Sequence, residues 1–378
     1  MSPLQIGSAS AKPGEISTGW FDAVSLPTGS LDRFPVMIGQ GISGDGPVIW
    51  ITANIHGNEH SGLAAIHQLL TPDLVASLHG TVVAIPTLNP AALRVGERTA
   101  YYQNTDPNRL FPAPDLHPKP PSERFGLSPT SNLELAYQNL YSAIVKTRPY
   151  CLIDLHNAWY GSIPFVFRDP VFYSRKRGST SGAGRTRMQA EALQNRVGEL
   201  LEAFGFTVIN EFVADSYITK KLHRSVSGSL LNKANIPAFT VELGSEMYID
   251  PDIVGACVAG IRNILRKAGM LQDAPEPIEN IPVRRLGFPV RRQMHPYAPQ
   301  AGIVRFLVSP GEIISKGQPL AQLTDIFGRP LGDNNGLLNS DYEGFVIGWP
   351  HGVIRYQGEP VMVLAIKDTN GLVTPYPD

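Results

Sequence analysis

Apolar and polar positions follow two rhythms along this chain, and the change from one to the other marks its elements. Short, nearly continuous apolar runs bounded by turn residues read as buried strands, and they fall at 47–55, 81–87, 150–156, 163–168, 205–211 and 237–242. Between them the apolar spacing becomes helical. Leu193, Val197, Leu200, Leu201 and Phe204 form one stripe, stopped by Gly205. Ile253, Val254, Cys257, Val258, Ile261, Ile264 and Leu265 form another, with Asp250 as N-cap, Pro251 in the first turn and Gly269 as C-cap. A third helix is predicted over 131–147. Strands and helices alternating from 47 to 270 predict an α/β fold: a mixed, mostly parallel sheet flanked by helices. Ahead of it, short extended pieces in 16–44 broken by Gly and Pro predict an antiparallel hairpin, and 1–15 reads as a loose tail.

Two segments break the rhythm. Residues 111–130 carry six prolines and read as an extended loop. Residues 173–187, rich in Gly, Ser and Arg, read as a surface loop, with a lid as the alternative. The Pro-broken stretch Asp273-Ala274-Pro275-Glu276-Pro277-Ile278 marks a boundary. It divides an expected catalytic domain, 1–272, from a small all-β domain, 280–378. The second part weakly repeats itself: Gly302-Ile303-Val304 with Lys316-Gly317-Gln318-Pro319-Leu320 is echoed by Gly344-Phe345-Val346 with Gln357-Gly358-Glu359-Pro360-Val361. Such halves predict a small barrel similar to the biotinyl/lipoyl type. Those carriers need a modifiable lysine on the hairpin between halves, and no lysine occurs from 317 to 366. The barrel is therefore expected to shape the cleft or form a homo-oligomer contact.

Composition narrows the function. A chain of 378 residues exceeds what one ordinary core serves. A net charge of -1 carries no electrostatic footprint for nucleic acid or an anionic membrane. No apolar stretch approaches the ~20 residues that span a bilayer, and Met1–Gly7 lacks the pattern of a signal peptide. Cys151 and Cys257 lie in apolar segments and form no disulfide framework. Cytoplasmic localisation is expected.

The chemistry sits at strand ends. Trp50-Ile51-Thr52-Ala53-Asn54-Ile55 leads into His56, and Tyr150-Cys151-Leu152-Ile153 leads into Asp154-Leu155-His156. Carboxyl ends of parallel strands form the crevice where α/β proteins bind ligands. His56 and Glu59 make a His-x-x-Glu pair, expected on a first helical turn where residues three apart share a face. That pair alone more often means a helix cap and a solvated acid; a second strand-end histidine, His156, tips the balance toward a metal site. Two imidazoles and a carboxylate leave a tetrahedral zinc one open position for water, so one Zn²⁺ per chain is expected. Alternation puts Asp154 on the same side as His156, where it can orient the ring. Glu242 closes the apolar run Pro237-Ala238-Phe239-Thr240-Val241 and must have a structural or a functional partner, because burying a lone carboxylate is costly. Residues 89–98 and 106–112 read as loops that offer fixed-charge donors.

Taken together, His56-Gly57-Asn58-Glu59, Asn89-Pro90 with Arg98, Asp106-Pro107-Asn108-Arg109, Asp154-Leu155-His156 and Val241-Glu242-Leu243-Gly244 resemble the succinylglutamate desuccinylase/aspartoacylase family of zinc carboxypeptidase-like deacylases. The resemblance implies that His56, Glu59 and His156 bind zinc, that Glu242 is the general base and that Arg98 polarises the scissile carbonyl. It further implies that Asn108 and Arg109 hold a substrate carboxylate. Asn58 and Pro107 stand where the family commonly has Asp and Leu, and neither departure removes a ligand or a charge. The implied activity is hydrolysis of the amide of a small N-acyl amino acid. A carboxypeptidase or amidase on a peptide-like substrate uses the same machinery; a catalytically silent metal-binding module has no need of Glu242 and Arg98.

Overall fold

The computed structural model describes residues 4–43, 45–114, 131–174 and 184–377. Most of the expected 111–130 loop and the core of the 173–187 loop lie outside the described residues, and so does any lid reading of the latter.

All six predicted strands are present, and they share one sheet. Its centre runs Thr81–Ile85, Val48–Ala53, Cys151–Ala158, Ala238–Ser245, with every neighbour parallel. Phe165–Arg168 then pairs antiparallel with Ala238–Ser245 and parallel with Thr207–Asn210. The predicted hairpin forms from Ile16–Ser25 and Leu31–Gln40 and adds two antiparallel strands at the other edge. The sheet is mixed, as expected.

Both faces of the central strands are buried, which explains why they read as continuous apolar runs. Ile49, Ile51, Ala53, Cys151, Ile153 and Leu155 point to one face, covered by the helices Ser61–Leu69, Arg187–Phe204 and Pro251–Lys267. Trp50, Leu152, Val83 and Ile85 point to the other and pack with Asn132–Lys146. Along that second face the character changes within a strand. Trp50 and Leu152 are apolar, whereas Thr52, Asp154 and His156, further toward the carboxyl ends, are polar and buried. The functional side chains occupy this polar end.

Helix boundaries follow local chemistry. Asp250 accepts from the backbone N–H groups of Asp252 and Ile253, and Gly205 takes a left-handed φ of 89° past the last turn of its helix. Gly269 adopts the left-handed φ of 73° expected of it, one residue beyond Ala268, which holds the C-cap position. Two readings need correction. His56 and Glu59 do not lie on a helical turn: the helix starts at Ser61, and Glu59 N–H bonds His56 C=O at 3.1 Å in a tight turn before it. A turn of three residues gathers their side chains as a helical turn would. The 89–98 segment is not wholly loop, because Pro90–Val95 is a short helix capped by Asn89 and Gly96. Arg94, on that helix, pairs with buried Asp32 at 2.9 Å.

Most of the C-terminal strands divide between two sheets, while Val373–Pro375 pairs with Val171–Tyr173. Val290–Met294, Val363–Lys367, Gly344–Gly348 and Ile313–Ile314 pair antiparallel in that order, and Val290–Met294 joins the catalytic sheet beside Thr207–Asn210 at Asn210 and Arg291. Leu337–Asn339, Pro319–Thr324, Gly302–Phe306 and Ile354–Arg355 form a separate four-stranded sheet. The two echoed segments thus begin strands in different sheets, around separate apolar clusters. This pairing makes four of the C-terminal strands an extension of the catalytic sheet.

The helix Ser61–Leu69 lies directly on the sheet, since a Cβ on Gly62 would come within 2.8 Å of the Cβ atoms of Ala53 and Leu155. Gly62→Val is expected to destabilise the protein by roughly 1–3 kcal/mol through overpacking, read as a lowered denaturant midpoint.

Candidate metal centre and active-site cavity

The turn after Val48–Ala53 is built by asparagines. Asn54, at a left-handed φ of 51°, donates from Nδ2 to the carbonyls of His56 (3.0 Å) and Glu59 (2.7 Å) and accepts from Thr87 Oγ1 at 2.8 Å. Asn89 caps its short helix through Ala92 N–H and reaches back to Ile55 C=O at 3.0 Å. Gly57 is required here, because a Cβ would sit 2.1 Å from the Ala92 carbonyl carbon. These contacts aim His56 and Glu59 at the end of Cys151–Ala158, where His156 projects.

Three buried side chains meet there. Glu59 Oε1 lies 2.7 Å from His56 Nδ1 and Glu59 Oε2 lies 2.8 Å from His156 Nδ1. Behind each ring stands another carboxylate: His156 Nε2 is 2.7 Å from Asp154 Oδ2, and His56 Nε2 is 3.1 Å from Asp106 Oδ1. Asp154 is itself held by Thr52 Oγ1 at 2.6 Å. One donor atom from each of His56, Glu59 and His156 lies within 4.8 Å of the others, so the trio can hold a metal ion. The donor set fits that role. A carboxylate on Nε2 fixes the ring proton there and leaves the Nδ1 lone pair for a cation. The expected Asp154–His156 contact is present.

Charge compensation is visible in the titration of these groups. Burial alone would raise Glu59, but the two imidazoles hold it well below the usual carboxylate range. Burial would likewise lower His156, but the Asp154 and Glu59 charges raise it well above the usual imidazole value. Asp106 is depressed against its burial by hydrogen bonding to His56 and by the charges of His56, Arg98 and Arg109.

All seven predicted site residues line one cavity of about 450 Å³: His56, Glu59, His156, Arg98, Asn108, Arg109 and Glu242. Arg98 bridges Glu59 Oε1 (3.4 Å) and Asp106 Oδ2 (3.0 Å) beside the trio. Asn108 places Nδ2 3.5 Å from His156 Nε2 and accepts Val226 N–H at 2.9 Å. Arg109 is more constrained than its expected part in binding a carboxylate suggests, because Nε and a terminal nitrogen already donate to the carbonyls of Lys220 and Asn108. Glu242 stands in register with His156 on the neighbouring strand, and its Oε2 is buried without a hydrogen-bond partner. Burial, then the Glu59 charge, raise its carboxyl to about 7, with the His156, Arg292 and His56 charges acting against them.

In and around the cavity stand groups to which sequence reasoning gave no part in the site. Asp106 was visible within the Asp-Pro-Asn-Arg motif, but its hydrogen bond to His56 spans 50 residues of chain. Glu246 accepts from Asn58 Nδ2 at 2.6 Å and pairs with His351. Arg292 and His351 enter from the C-terminal part. Their sequence surroundings carry no metal-ligand or motif spacing that could have found them. Asp169, Ser227 and Thr240 complete one end.

Residues 45–168, which contain both histidines, Glu59, Arg98, Asn108 and Arg109, match the succinylglutamate desuccinylase/aspartoacylase catalytic domain. Through this segment the chain is similar to the succinylglutamate desuccinylase/aspartoacylase family. It is 21% identical over 288 residues to the N-alpha-acetyl-L-2,4-diaminobutyric acid deacetylase of Halomonas elongata, covering 75% of this chain and 72% of that one. Its fold is similar to succinylglutamatedesuccinylase/aspartoacylase from Rhodobacter sphaeroides, with TM-score 0.69, 19% identity, and 94% and 96% of the two chains covered. It is also similar to the product-bound ectoine utilization protein EutE (DoeB) of Ruegeria pomeroyi, with TM-score 0.68, 17% identity, and 93% and 95% covered. The chain therefore has the fold of these proteins. Among the described residues, no helix is long and apolar enough to cross a membrane.

Asp154→Asn is expected to leave the fold intact and weaken metal binding about 10–100-fold, the usual cost of losing the partner behind a ligand imidazole. A chelator competition titration of zinc reads it.

Proposed function

We propose that this protein is a zinc-dependent amidohydrolase that cleaves the amide of a small N-acyl amino acid, with His56, Glu59 and His156 as metal ligands and Glu242 as general base. The observation that carries the reading is Glu242 Oε2, buried and unpartnered in the same cavity as the trio. A buried carboxylate oxygen without a donor costs stability, and a proton in transit supplies what it lacks. When bound, a divalent cation supplies Lewis acidity and an acidified water at neutral pH.

The chain's own residues account for the rest. Glu242 Oε2 takes the proton of the attacking water as the new C–O bond forms, and returns it to the amine nitrogen as the C–N bond breaks. Arg98, oriented by Glu59 and Asp106, donates to the developing oxyanion. Asn108 and the remaining donors of Arg109 orient the substrate carboxylate beside His156. Asp154 and Asp106 keep the two imidazoles in one tautomer and orientation. The relatives' activities agree with this chemistry, the Halomonas elongata protein being named a deacetylase of an N-acetylated amino acid.

We assign 1–272 and 280–378 as two parts of a single catalytic unit, the second closing the cavity with Arg292 and His351. That closure favours a small substrate over a peptide and makes the second part, if it closes as a barrel, a wall rather than a carrier.

Glu242→Gln is expected to retain zinc and lose about 10²–10⁴ in kcat, the range for a positioned proton-transfer group; retained turnover would refute the base assignment. Because the ionised carboxylate is the base, kcat/KM should fall as acid protonates it. The metal-free carboxyl titrates at about 7, and a bound cation lowers that value, so the acidic limb should lie below neutrality. In Glu242→Gln that limb should disappear from the pH–rate profile.

A further inference from the structure

We propose that a second cavity, behind the strand Phe165–Arg168, binds a small organic anion. Arg168, Arg284 and Arg285 would hold its phosphate or carboxylate head, with an apolar body against Leu201 and Phe288. The cavity measures about 500 Å³ and shares no lining residue with the cavity of the metal trio. That size is ordinary for a small-molecule site.

Strand alternation separates the two cavities. Phe167 lines the cavity of the trio, whereas Val166 packs with the helix Arg187–Phe204 on the other face. Arg168, two residues beyond Val166, shares that second face. On the neighbouring strand Val208 and Asn210 stand in register with Val166 and Arg168, and both line the second cavity. Gly198 brings the helix close: a Cβ there would stand 3.4 Å from a terminal nitrogen of Arg168. Residues 284–290 complete the wall as the chain enters Val290–Met294.

Positive charge collects there without a counter-charge. The Arg168 guanidinium makes no hydrogen bond or ion pair among the described residues, and its Nε is buried without a partner. Burial lowers its pKa, and no acidic neighbour counters the shift. Arg98, by contrast, is raised against its burial by the charges of Glu59 and Asp106. Arg284 donates from Nε to Gly311 C=O at 2.7 Å, which fixes the side chain and leaves its terminal nitrogens unpaired among the described residues. Arg285 is exposed and has no partner among them. Glu202, the acid on the lining, is exposed and pairs with none of the three. A cation taken partly out of water without compensation is costly. A phosphate or carboxylate supplies that compensation, because it matches the guanidinium fork with paired hydrogen bonds. Leu201, Val208 and Phe288 offer apolar surface to the rest of the ligand.

The test titrates the purified full chain by isothermal calorimetry with phenyl phosphate, benzoate and, as their uncharged counterpart, benzyl alcohol. At least one anion should bind saturably in the millimolar range or tighter, and the tighter of the two identifies the head group. Benzyl alcohol should bind about 10-fold more weakly or worse, the loss of a hydrogen bond to a charged group. Arg168→Met should weaken anion binding about 10–100-fold on the same grounds. Arg285→Glu, at an exposed position that the fold does not need, should weaken it as well. Arg109→Gln, in the cavity of the trio, should leave it unchanged. No saturable anion binding by the parent protein, or benzyl alcohol binding as tightly as the anions, overturns the inference and needs no variant that folds. Binding that survives both Arg168→Met and Arg285→Glu, or that is lost in a folded Arg109→Gln protein, also overturns it.

Discussion

Burying two imidazoles and three carboxylates within hydrogen-bonding reach of one another is possible only if their charges are compensated. The whole centre follows from that constraint. Glu59, Asp154 and Asp106 bring three negative charges into contact with the two rings or each other, and Arg98 returns one positive charge. With both imidazoles neutral, the carboxylates still outnumber the guanidiniums of Arg98 and Arg109 that face them. A divalent cation held by the trio would offset that excess, and one donor atom from each of the three already faces a common point.

That constraint reaches outward into the fold. Glu59 can meet His156 only because Asn54, Thr87 and Asn89 tie down the turn that carries it and Gly57 lets Ala92 approach. Asp154 can back His156 because residues two apart on a strand share a face, and Thr52, in register with Asp154 on the adjacent strand, fixes the carboxylate. The polar end of the sheet face is thus built by strand alternation, and the apolar end of the same face anchors it through Trp50 and Leu152.

Much of this was legible from the chain. Apolar runs located the central strands because both sheet faces are covered, and Asp250, Gly205 and Gly269 marked helix ends by familiar capping chemistry. His156 was legible because it sits toward a strand end, where side-chain direction follows from alternation, and His56 and Glu59 because their His-x-x-Glu spacing follows another apolar strand. The short helix Pro90–Val95 and the turn holding Glu59 were misread, since six-residue helices and tight turns depend on tertiary contacts such as Asn89 to Ile55 rather than on a periodic stripe. Strand partners of the C-terminal part were hidden for a related reason: pairing across a sheet edge leaves no mark on local pattern. Arg292 could not have been found at all, because its placement depends on that pairing and on Phe167, Phe212 and Glu211, each distant in sequence.

The most direct measurement is the zinc content and ligand environment of the purified full chain, by elemental analysis and X-ray absorption, in the parent protein and in His156→Ala. One zinc per chain with two imidazole nitrogens and carboxylate oxygen in its first coordination sphere, lost in a His156→Ala protein that still folds, is the outcome expected here. A folded parent that takes up no divalent ion, or a variant that keeps its zinc undiminished, would contradict the centre described above.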